Sequence, residues 1–270
     1  MAVKDVVRSA LENLGVSVSK VKRTPYQELF EDPARYGEKT IDLLGRPFVV
    51  ADGRSFYFSY REIFVEGIYR FVPESSAPRI IDCGSNYGTS IVFFKSAHPH
   101  ARITGVEADP HIFSLLSRNT AHLDVELINK AVSSNRDPLT FFSEGSDGGR
   151  AGQSIEGKAS IEVPAITLDD LIDGPVDFLK LDIEGSETDA LSACTKLDLV
   201  NAMFIEYHSF KGATQLLGDL LGKLRDAGFR YYVHGQFCSP TPLTVEALQL
   251  GMDLQLNIFA VRAETQRRLS

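Results

Sequence analysis

Short apolar runs alternate with amphipathic stretches along the chain, and the alternation becomes regular from residue 78 onward. Apolar runs that are bounded by Gly, Pro or acidic residues are typical of buried strands. They predict strands at 79–83, 102–107, 125–128, 139–142, 176–183, 202–207 and 229–233. Apolar positions at helical spacing predict helices at 88–97, 110–122, 185–196 and 213–227. The alternation predicts an α/β fold, with a mostly parallel sheet and helices on both faces.

The last apolar run, residues 254–261, is long and follows no helical crossover. Neighbouring parallel strands need such a crossover, whereas antiparallel strands do not. An antiparallel seventh strand at the edge of the sheet is therefore predicted.

The N-terminal part of the chain has a different pattern. Residues 5–14 place their apolar side chains on one helical stripe. Two apolar runs, 46–50 and 55–58, flank an Asp-Gly pair that is typical of a hairpin turn, and residues 62–71 predict an amphipathic helix. These elements predict a small helix and hairpin annex.

The annex is predicted to span residues 1–75 and the main domain residues 76–270. Three of its tyrosines, Tyr57, Tyr60 and Tyr69, are candidates for the mouth of a substrate site. Packing against the main sheet is the favoured interpretation for each of them.

The segment from Ile80 to Ser90 joins the first regular strand to the first regular helix through a glycine-punctuated turn. Its sequence, IIDCGSNYGTS, places Asp82 at the end of the strand, with Gly84 and Gly88 in the turn. Glycines let the backbone turn tightly and approach a ligand, and the helix that follows points free N–H groups at it. The pattern predicts a nucleotide-type binding loop.

The acidic residue Glu107 ends the second strand about 20 residues after this loop, where such folds hold a ribose diol. The loop lacks the GxGxxG pattern of dinucleotide binders, and the carboxylate of Asp82 would repel a pyrophosphate. A ligand with an amine and a positive charge but no phosphate fits better. S-adenosylmethionine (SAM) has these properties, so the sequence favours SAM over NAD.

Polar residues end two otherwise apolar strands. Lys180, Asp182 and Glu184 alternate at the end of the fourth strand, and Glu206 and His208 do so at the end of the fifth. Both ends are expected at the carboxyl edge of the sheet, where open α/β folds bind ligands. Two chemistries fit: a carboxylate or the histidine acts as a general base on a hydroxyl group, or these side chains hold a divalent metal that lowers the hydroxyl pKa.

Some of these acids have a structural alternative. Glu184 and Glu187 lie near the predicted helix start at Gly185, where acidic side chains are favoured electrostatically. Helix capping is the favoured interpretation for Glu187, whereas a role in the site is favoured for Asp182 and Glu184.

Composition narrows the partners. The 270 residues carry a net charge of −8 with a pI near 5.3, so no overall basic field would attract nucleic acid. Three scattered cysteines indicate a reducing compartment, and no apolar run approaches the ~20 residues of a membrane span. The charged N-terminus lacks a signal-peptide core. A cytoplasmic protein, free or homo-oligomeric, is predicted.

The chain resembles the FkbM family of SAM-dependent methyltransferases. The resemblance covers about Phe56 to Val261 and is carried by IIDCGSNYGTS, VEADP (106–110), LDDLI (167–171) with LKLDIEGSE (179–187), and GMDLQLNIFAVR (251–262). It implies a class I, Rossmann-like sheet of order 3-2-1-4-5-7-6 with strand seven antiparallel. Cys83 and the pair Ala108-Asp109 depart from the family pattern.

The resemblance also implies residue roles. Asp82, Gly84, Asn86 and Gly88 would surround the amino-acid half of SAM, and Glu107 would bind the ribose. Lys130, Ala131 and Val132 would lie near the adenine, and Asp182 would face the methyl-transfer centre. The full set of implied cofactor contacts is Asp82, Gly84, Ser85, Asn86, Gly88, Glu107, Ala108, Lys130, Ala131 and Asp182. The candidate catalytic residues are Asp182, Glu184, Glu206 and His208.

The hypothesis is therefore methylation of a hydroxyl group on a sugar or small metabolite. A catalytically inactive binding protein with a SAM fold is the alternative. The acceptor, a small molecule or glycan, is expected to contact the annex, the segment 236–250 and the Gly-rich stretch 143–158. That stretch is predicted to be a mobile loop, either a lid over the cofactor or a plain surface excursion.

Overall fold

A computed structural model of the chain describes residues 25–34, 37–142, 150–151 and 160–262. The strands in chain order are β1 (Lys39–Leu43), β2 (Arg46–Val50), β3 (Arg79–Cys83), β4 (Arg102–Glu107), β5 (Glu126–Asn129), β6 (Ala131–Val132), β7 (Leu139–Phe142), β8 (Arg150–Ala151), β9 (Ser160–Val163), β10 (Ala165–Ile166), β11 (Val176–Leu181), β12 (Val200–Phe210), β13 (Phe229–Cys238) and β14 (Met252–Arg262). The helices are α1 (Gln27–Glu31), α2 (Gly53–Tyr60), α3 (Thr89–Ala97), α4 (Pro110–Thr120), α5 (Leu168–Leu171), α6 (Glu187–Ala193) and α7 (Leu217–Asp226). A π-helix (Arg61–Glu66) continues α2, and a 3-10 turn (Leu197–Leu199) precedes β12.

A seven-stranded sheet of order β13-β14-β12-β11-β3-β4-β5 is the centre of the molecule. The neighbours from β12 to β5 pair in parallel, whereas β14 runs antiparallel to both of its neighbours. This confirms the predicted α/β class and the 3-2-1-4-5-7-6 order implied by the family resemblance.

The expectation of an edge position for the last strand is wrong. Ile258 of β14 pairs with Ile205 of β12 on one side and with Val233 of β13 on the other. Both rows of backbone groups in β14 are therefore bonded, which suits its buried residues Leu256, Ile258 and Ala260. The edge is occupied by β13, and its side chains from Arg230 to Gln236 are exposed.

Two apolar layers cover the sheet. One face carries a core that includes Leu179, Leu181 and Ile205. The other carries Ile80, Phe94, Phe178 and Phe204, together with several edge-to-face aromatic pairs. Burial of both faces explains why the strands read as continuous apolar runs rather than as alternating ones.

The predicted annex hairpin is wrong in its second strand. The strand β2 pairs with the earlier strand β1, and residues 55–58 belong to α2 instead. Asp52 does not sit in a hairpin turn; its side chain accepts a hydrogen bond from the Arg54 N–H at 2.8 Å and caps α2. A helix N-cap and a hairpin turn share the Asp-Gly signal, which explains the error.

The predicted helix at 62–71 begins earlier and ends earlier. The segment continues α2 as the π-helix Arg61–Glu66 and stops at Gly67, which has a φ of 72°. Tyr69 packs on Phe204 of the main sheet, as the packing interpretation predicts, whereas Tyr57 packs on Phe30 and Tyr60 stacks on Phe64 within the annex.

The region between β5 and β11 holds the smaller sheets. The strands β7, β8 and β9 form an antiparallel sheet, and β6 pairs with β10. The predicted mobile loop 143–158 lies outside the described residues except for 150–151, and the predicted helix 5–14 lies outside them entirely. Within the described ranges, no helix combines the length and the apolar content that spanning a bilayer requires.

Candidate active site

The loop after β3 has the sharp turn that its glycines predict. Gly84, Asn86 and Gly88 have φ values of 81°, 48° and 98°. A Cβ on Gly84 would lie 1.8 Å from the backbone oxygen of Asp182, because the loops after β3 and β11 touch there. The N–H groups of Gly84 and Ser85 both donate to the Val106 oxygen at 2.9 Å. These backbone contacts hold the loop against two neighbouring strand ends.

Asp82, at the end of β3, is completely buried beneath the loop. Its Oδ2 accepts a hydrogen bond from the Ser90 hydroxyl at 2.5 Å, and its Oδ1 lies 3.3 Å from the Lys180 Nζ. The Ser85 hydroxyl donates to its backbone oxygen at 2.8 Å. Asp82 therefore joins the loop, the helix α3 and the strand β11, which adds a structural role to its predicted ligand contact.

Glu107, at the end of β4, spans the same loop from the other side. Its carboxylate accepts hydrogen bonds from the N–H groups of Asn86 at 2.9 Å and Asp109 at 2.8 Å. Burial raises the pKa of Glu107 to about 7, although these two hydrogen bonds favour the ionised form. A carboxylate oriented in this way can accept hydrogen bonds from a vicinal diol with its remaining lone pairs.

The predicted adenine contacts lie next to Glu107. The Asn129 amide donates to the backbone oxygens of Glu107 and Ala108 at 2.8 and 3.1 Å. Ala131 pairs with Ala165 and is buried against Ala108, while Lys130 is half-buried between β5 and β6. Asn129, Lys130 and Ala131 therefore lie beside Glu107 and Ala108.

Lys180 lies at the centre of the site with its side chain only 3% exposed. Its Nζ donates to the Gly84 oxygen at 2.8 Å and lies 3.3 Å from the Asp182 carboxylate. Burial would lower the pKa of Lys180, but the charges of Asp182 and Asp82 outweigh burial and raise the pKa well above its usual value. Lys180 is therefore cationic throughout the physiological range.

His208, on β12, is held by acids from the loop after β11. Its Nδ1 lies 3.1 Å from Glu187, and its Nε2 lies 3.7 Å from Glu184. Glu187 is buried and also accepts hydrogen bonds from the N–H groups of Ile183 and Gly185 at 3.1 and 2.9 Å. Burial would lower the pKa of His208, but the charges of Glu184 and Glu187 outweigh it and raise the pKa well above its usual value.

Glu187 lies in the first turn of α6, as the capping interpretation predicts, but its carboxylate bonds to N–H groups ahead of the helix rather than to those of the helix, and it also contacts the histidine. Glu184, three residues earlier, has a left-handed φ of 58°, and Gly185 follows at 105°. A left-handed non-glycine residue is uncommon and concentrates at functional sites. The turn points the acids toward β12.

Glu206 lies two residues before His208 on β12, so both side chains point to the same face of the strand. Its carboxylate accepts a hydrogen bond from the Gln255 amide of β14. Burial, and then the charge of Asp182, raise the pKa of Glu206 well above its usual value. The acids of the site therefore compete for a limited amount of positive charge.

A cavity of about 480 Å³ joins these groups at the carboxyl edge of the sheet. Of the predicted site residues, its walls include Gly84, Ser85, Asn86, Asp182, Glu184, Glu206 and His208. The other predicted site residues do not line this cavity; they lie behind or beside the loop after β3, the predicted cofactor loop (84–88). They are Gly88, Asp82, Glu107, Ala108, Lys130 and Ala131. Asp182, Glu184 and His208 have donor atoms within 4.8 Å of one another, a spacing that a divalent metal ion would accept.

Several other residues that line the cavity belong to none of the predicted motifs. The lining includes Ser55, Phe58, Ser59 and Glu62, together with Gln236, Gln249 and Gln255; the Gln236 amide donates to Glu62 at 3.0 Å. The first set has the i, i+3, i+4, i+7 spacing of one helical face, and the wrong strand prediction for 55–58 hid that signal. Tyr69 also lines the cavity, whereas Tyr57 and Tyr60 do not.

The chain is similar to several known proteins. The Methyltransferase FkbM domain model matches residues 82–231, more than half of the chain. The methyltransferase sdnD of Sordaria araneosa is 26% identical, with the alignment covering 67% of this chain and 88% of that protein. The solved structure of a methyltransferase FkbM from Methylobacillus flagellatus KT aligns with a TM-score of 0.43 and 20% identity over 72% of this chain and 46% of its own. TYW2 of M. jannaschii, solved in complex with AdoMet, aligns with a TM-score of 0.46 and 12% identity over 84% and 86%.

Proposed function

This chain belongs to the FkbM methyltransferase family, and we propose that it transfers the methyl group of SAM to a hydroxyl group of a sugar or small metabolite. The observation that carries the proposal is the single cavity at the carboxyl edge, which has the cofactor loop on one wall and the acid and histidine cluster on another. Membership of a methyltransferase family favours this enzyme over the inactive SAM-fold binding protein.

The cofactor would lie against the loop after β3. The loop backbone would face the amino-acid half of SAM, with the buried Asp82 supporting it from behind, and Glu107 would accept hydrogen bonds from the ribose hydroxyls. Ala108, Lys130 and Ala131 continue in the direction expected of the adenine. The acids of the cavity outnumber Lys180 and His208 among its lining residues, and this favours a cationic sulfonium in their midst.

The acceptor would enter between α2 and the β13–β14 wall. Hydroxyl, amide and carboxyl groups of Ser55, Ser59, Glu62, Gln236 and Gln255 line this space, and Phe58 adds an aromatic face. Such a mixture suits a hydroxylated molecule that also has an apolar side. The annex and the segment 236–250 would thus supply walls of the acceptor site.

The reaction would be an in-line displacement. The acceptor oxygen forms a bond to the methyl carbon as the carbon–sulfur bond breaks, its proton passes to the enzyme, and S-adenosylhomocysteine leaves. An alcohol oxygen is a poor nucleophile until its proton is removed, so a nearby base contributes to the rate. We assign this role to Asp182, Glu184, Glu206 and His208 as a group.

A divalent metal is the second candidate for activating the hydroxyl. Asp182, Glu184 and His208 would hold it, and the ion would lower the pKa of a bound hydroxyl group. The close approach of their donor atoms favours this option. This option predicts that methyl transfer requires Mg²⁺ or Mn²⁺ and that EDTA abolishes it.

Calorimetric titration with SAM, S-adenosylhomocysteine and NAD tests the cofactor first. Micromolar binding of either SAM species without NAD binding is expected. Incubation with methyl-labelled SAM and a panel of glycosides, aliphatic alcohols and phenols then tests the acceptor class, with and without EDTA. Binding of NAD alone would overturn the proposal. Binding of SAM without transfer to any hydroxyl group would favour the alternative, an inactive SAM-fold binding protein.

A further inference from the structure

We infer that Lys180 is a positioning residue of the methyl-transfer site, because its ammonium holds the Gly84 carbonyl and the Asp182 carboxylate in one fixed arrangement. The inference extends the proposed function, since it concerns how the cofactor loop and the acid next to the transferred methyl group are set relative to each other. Lys180 lines the cavity with only 3% of its side chain exposed, so its role is assigned to these two partners rather than to a substrate contact.

The contacts of the Lys180 Nζ converge from three directions. It lies 2.8 Å from the Gly84 oxygen, 3.3 Å from the Asp182 carboxylate, 3.3 Å from the Asp82 carboxylate and 3.4 Å from the Cys83 oxygen. It also lies 5.8 Å above the ring of Tyr69. One atom therefore contacts the end of β3, the cofactor loop and the first residue after β11.

Backbone contacts alone do not account for this arrangement. The Asp182 N–H donates to the Cys83 oxygen at 3.1 Å, and this bond already joins the ends of the two strands. It sets the distance between the strands but leaves the side chain of Asp182 free to rotate. In the described part of the chain, Lys180 is the basic residue within 4.0 Å of that carboxylate.

The contact geometry also explains the residue type. A lysine places its charge on one compact nitrogen with three donors, whereas the guanidinium of arginine is planar and forked. The four acceptors within 3.4 Å of this one nitrogen suit the first and not the second. A neutral side chain would leave the buried Asp82 without its cation, which is costly in an interior.

Lys196 provides a matched control in the same chain. Its Nζ donates to the backbone oxygens of Asp169 and Ile172 at 2.7 and 2.8 Å, outside the described cavity. Removing that ammonium also breaks lysine–carbonyl contacts, but these contacts do not belong to the cofactor loop. The comparison of Lys180→Met with Lys196→Met separates positioning from general support of the fold.

The first test is the affinity for SAM, measured by calorimetry at a temperature where circular dichroism shows each variant folded. Lys180→Met is expected to bind SAM at least about 10-fold more weakly than the wild type, and Lys196→Met within about threefold of it. Equal affinities for Lys180→Met and the wild type, or equal losses in both variants, would overturn the inference. Failure of the wild type to bind SAM would instead overturn the proposed function, and the inference with it.

The second test is chemical rescue, which also covers the event that the methionine variant does not fold. Lys180→Ala leaves a space that ethylammonium or propylammonium can fill. Millimolar concentrations of either are expected to restore SAM affinity to Lys180→Ala, whereas tetramethylammonium, which has no N–H donor, is not. Lys196→Ala should show no response. Restoration by tetramethylammonium, or no restoration by either primary amine, would count against a positioning role.

Discussion

The two sides of the cavity are built in different ways. On the cofactor side, Asp82 and Glu107 are held by backbone N–H groups, a hydroxyl group and Lys180, and the backbone itself forms the wall. On the acceptor side, Glu62, Glu184 and Glu206 come from distant segments and share one histidine and two amide groups. The first side has little freedom, whereas the second can be changed one side chain at a time. Under the proposed assignment, the fold itself would fix the cofactor, whereas replaceable side chains would select the acceptor.

The largest effect is expected from breaking the backbone wall with Gly84→Ala. The added methyl group would lie 1.8 Å from the Asp182 oxygen, and Gly84 has a φ of 81°. SAM affinity should fall by at least about 100-fold in calorimetry, because the loop must move. Gly212→Ala is the control, since Gly212 has a φ of 86° with nothing within 4 Å of the added Cβ. Comparable SAM losses in both variants would show that left-handed strain, not the clash, matters.

A second comparison separates binding from turnover at the boundary between the two sides. Asp182→Asn keeps the size of the side chain and removes its charge, so SAM affinity should stay within about 10-fold while methyl transfer falls by roughly 100-fold or more. Rates with the acceptor found in the screen and SAM titrations provide the two measurements. The exposed Asp189 on α6 supplies the control Asp189→Asn. Unchanged turnover in Asp182→Asn would move the chemistry to other groups.

The third prediction concerns the pH dependence of the cofactor side. Burial raises the pKa of Glu107 to about 7, and only the ionised form can accept hydrogen bonds with both oxygens. SAM affinity should therefore decrease as the pH falls below 7, by up to about 10-fold per pH unit. Glu107→Gln should bind weakly at every pH, and Glu126→Gln, at an exposed site, should follow the wild type. A flat wild-type profile from pH 5.5 to 8.5 would contradict the ribose assignment.

The smallest effect is expected on the acceptor side, at Glu62. Burial raises its pKa to about 7, so its ionised form opposes folding. This cost is absent below the ordinary pKa of 4.5 and grows as the pH rises through 7. At pH 8, Glu62→Gln should therefore melt at a higher temperature than the wild type, by an amount worth about 1 kcal/mol. At pH 4.5 the two proteins should melt at the same temperature. Glu126→Gln, at an exposed site on β5, should not change the melting temperature at either pH.

The sequence predicts the cofactor side better than the acceptor side for a physical reason. A strand, a glycine turn and a helix are local features, and the residues from Asp82 to Gly88 are close in sequence because they are close in space. The acceptor wall joins Glu62 to Gln236, whose hydrogen bond of 3.0 Å links residues far apart along the chain. No local pattern records such a contact.

Two local signals were ambiguous rather than absent. Asp52-Gly53 begins a helix, although the same pair is common in hairpins, and only the pairing of β1 with β2 decides between them. Glu187 fits a helix cap by its position, but its contact with His208 depends on the neighbouring strand. Periodicity likewise predicted that β14 is a strand, whereas its place in the sheet followed only from the family resemblance.

The interior position of β14 has a consequence for synthesis on the ribosome. The strand lies between β12 and β13, both of which are translated earlier. Until residues 252–262 have emerged, the outer edge of β12 is unpaired and β13 lacks its neighbour in the described sheet. Closure of the sheet is therefore a late, post-exit event, and ribosomes that stall before Met252 would release chains prone to pair with one another.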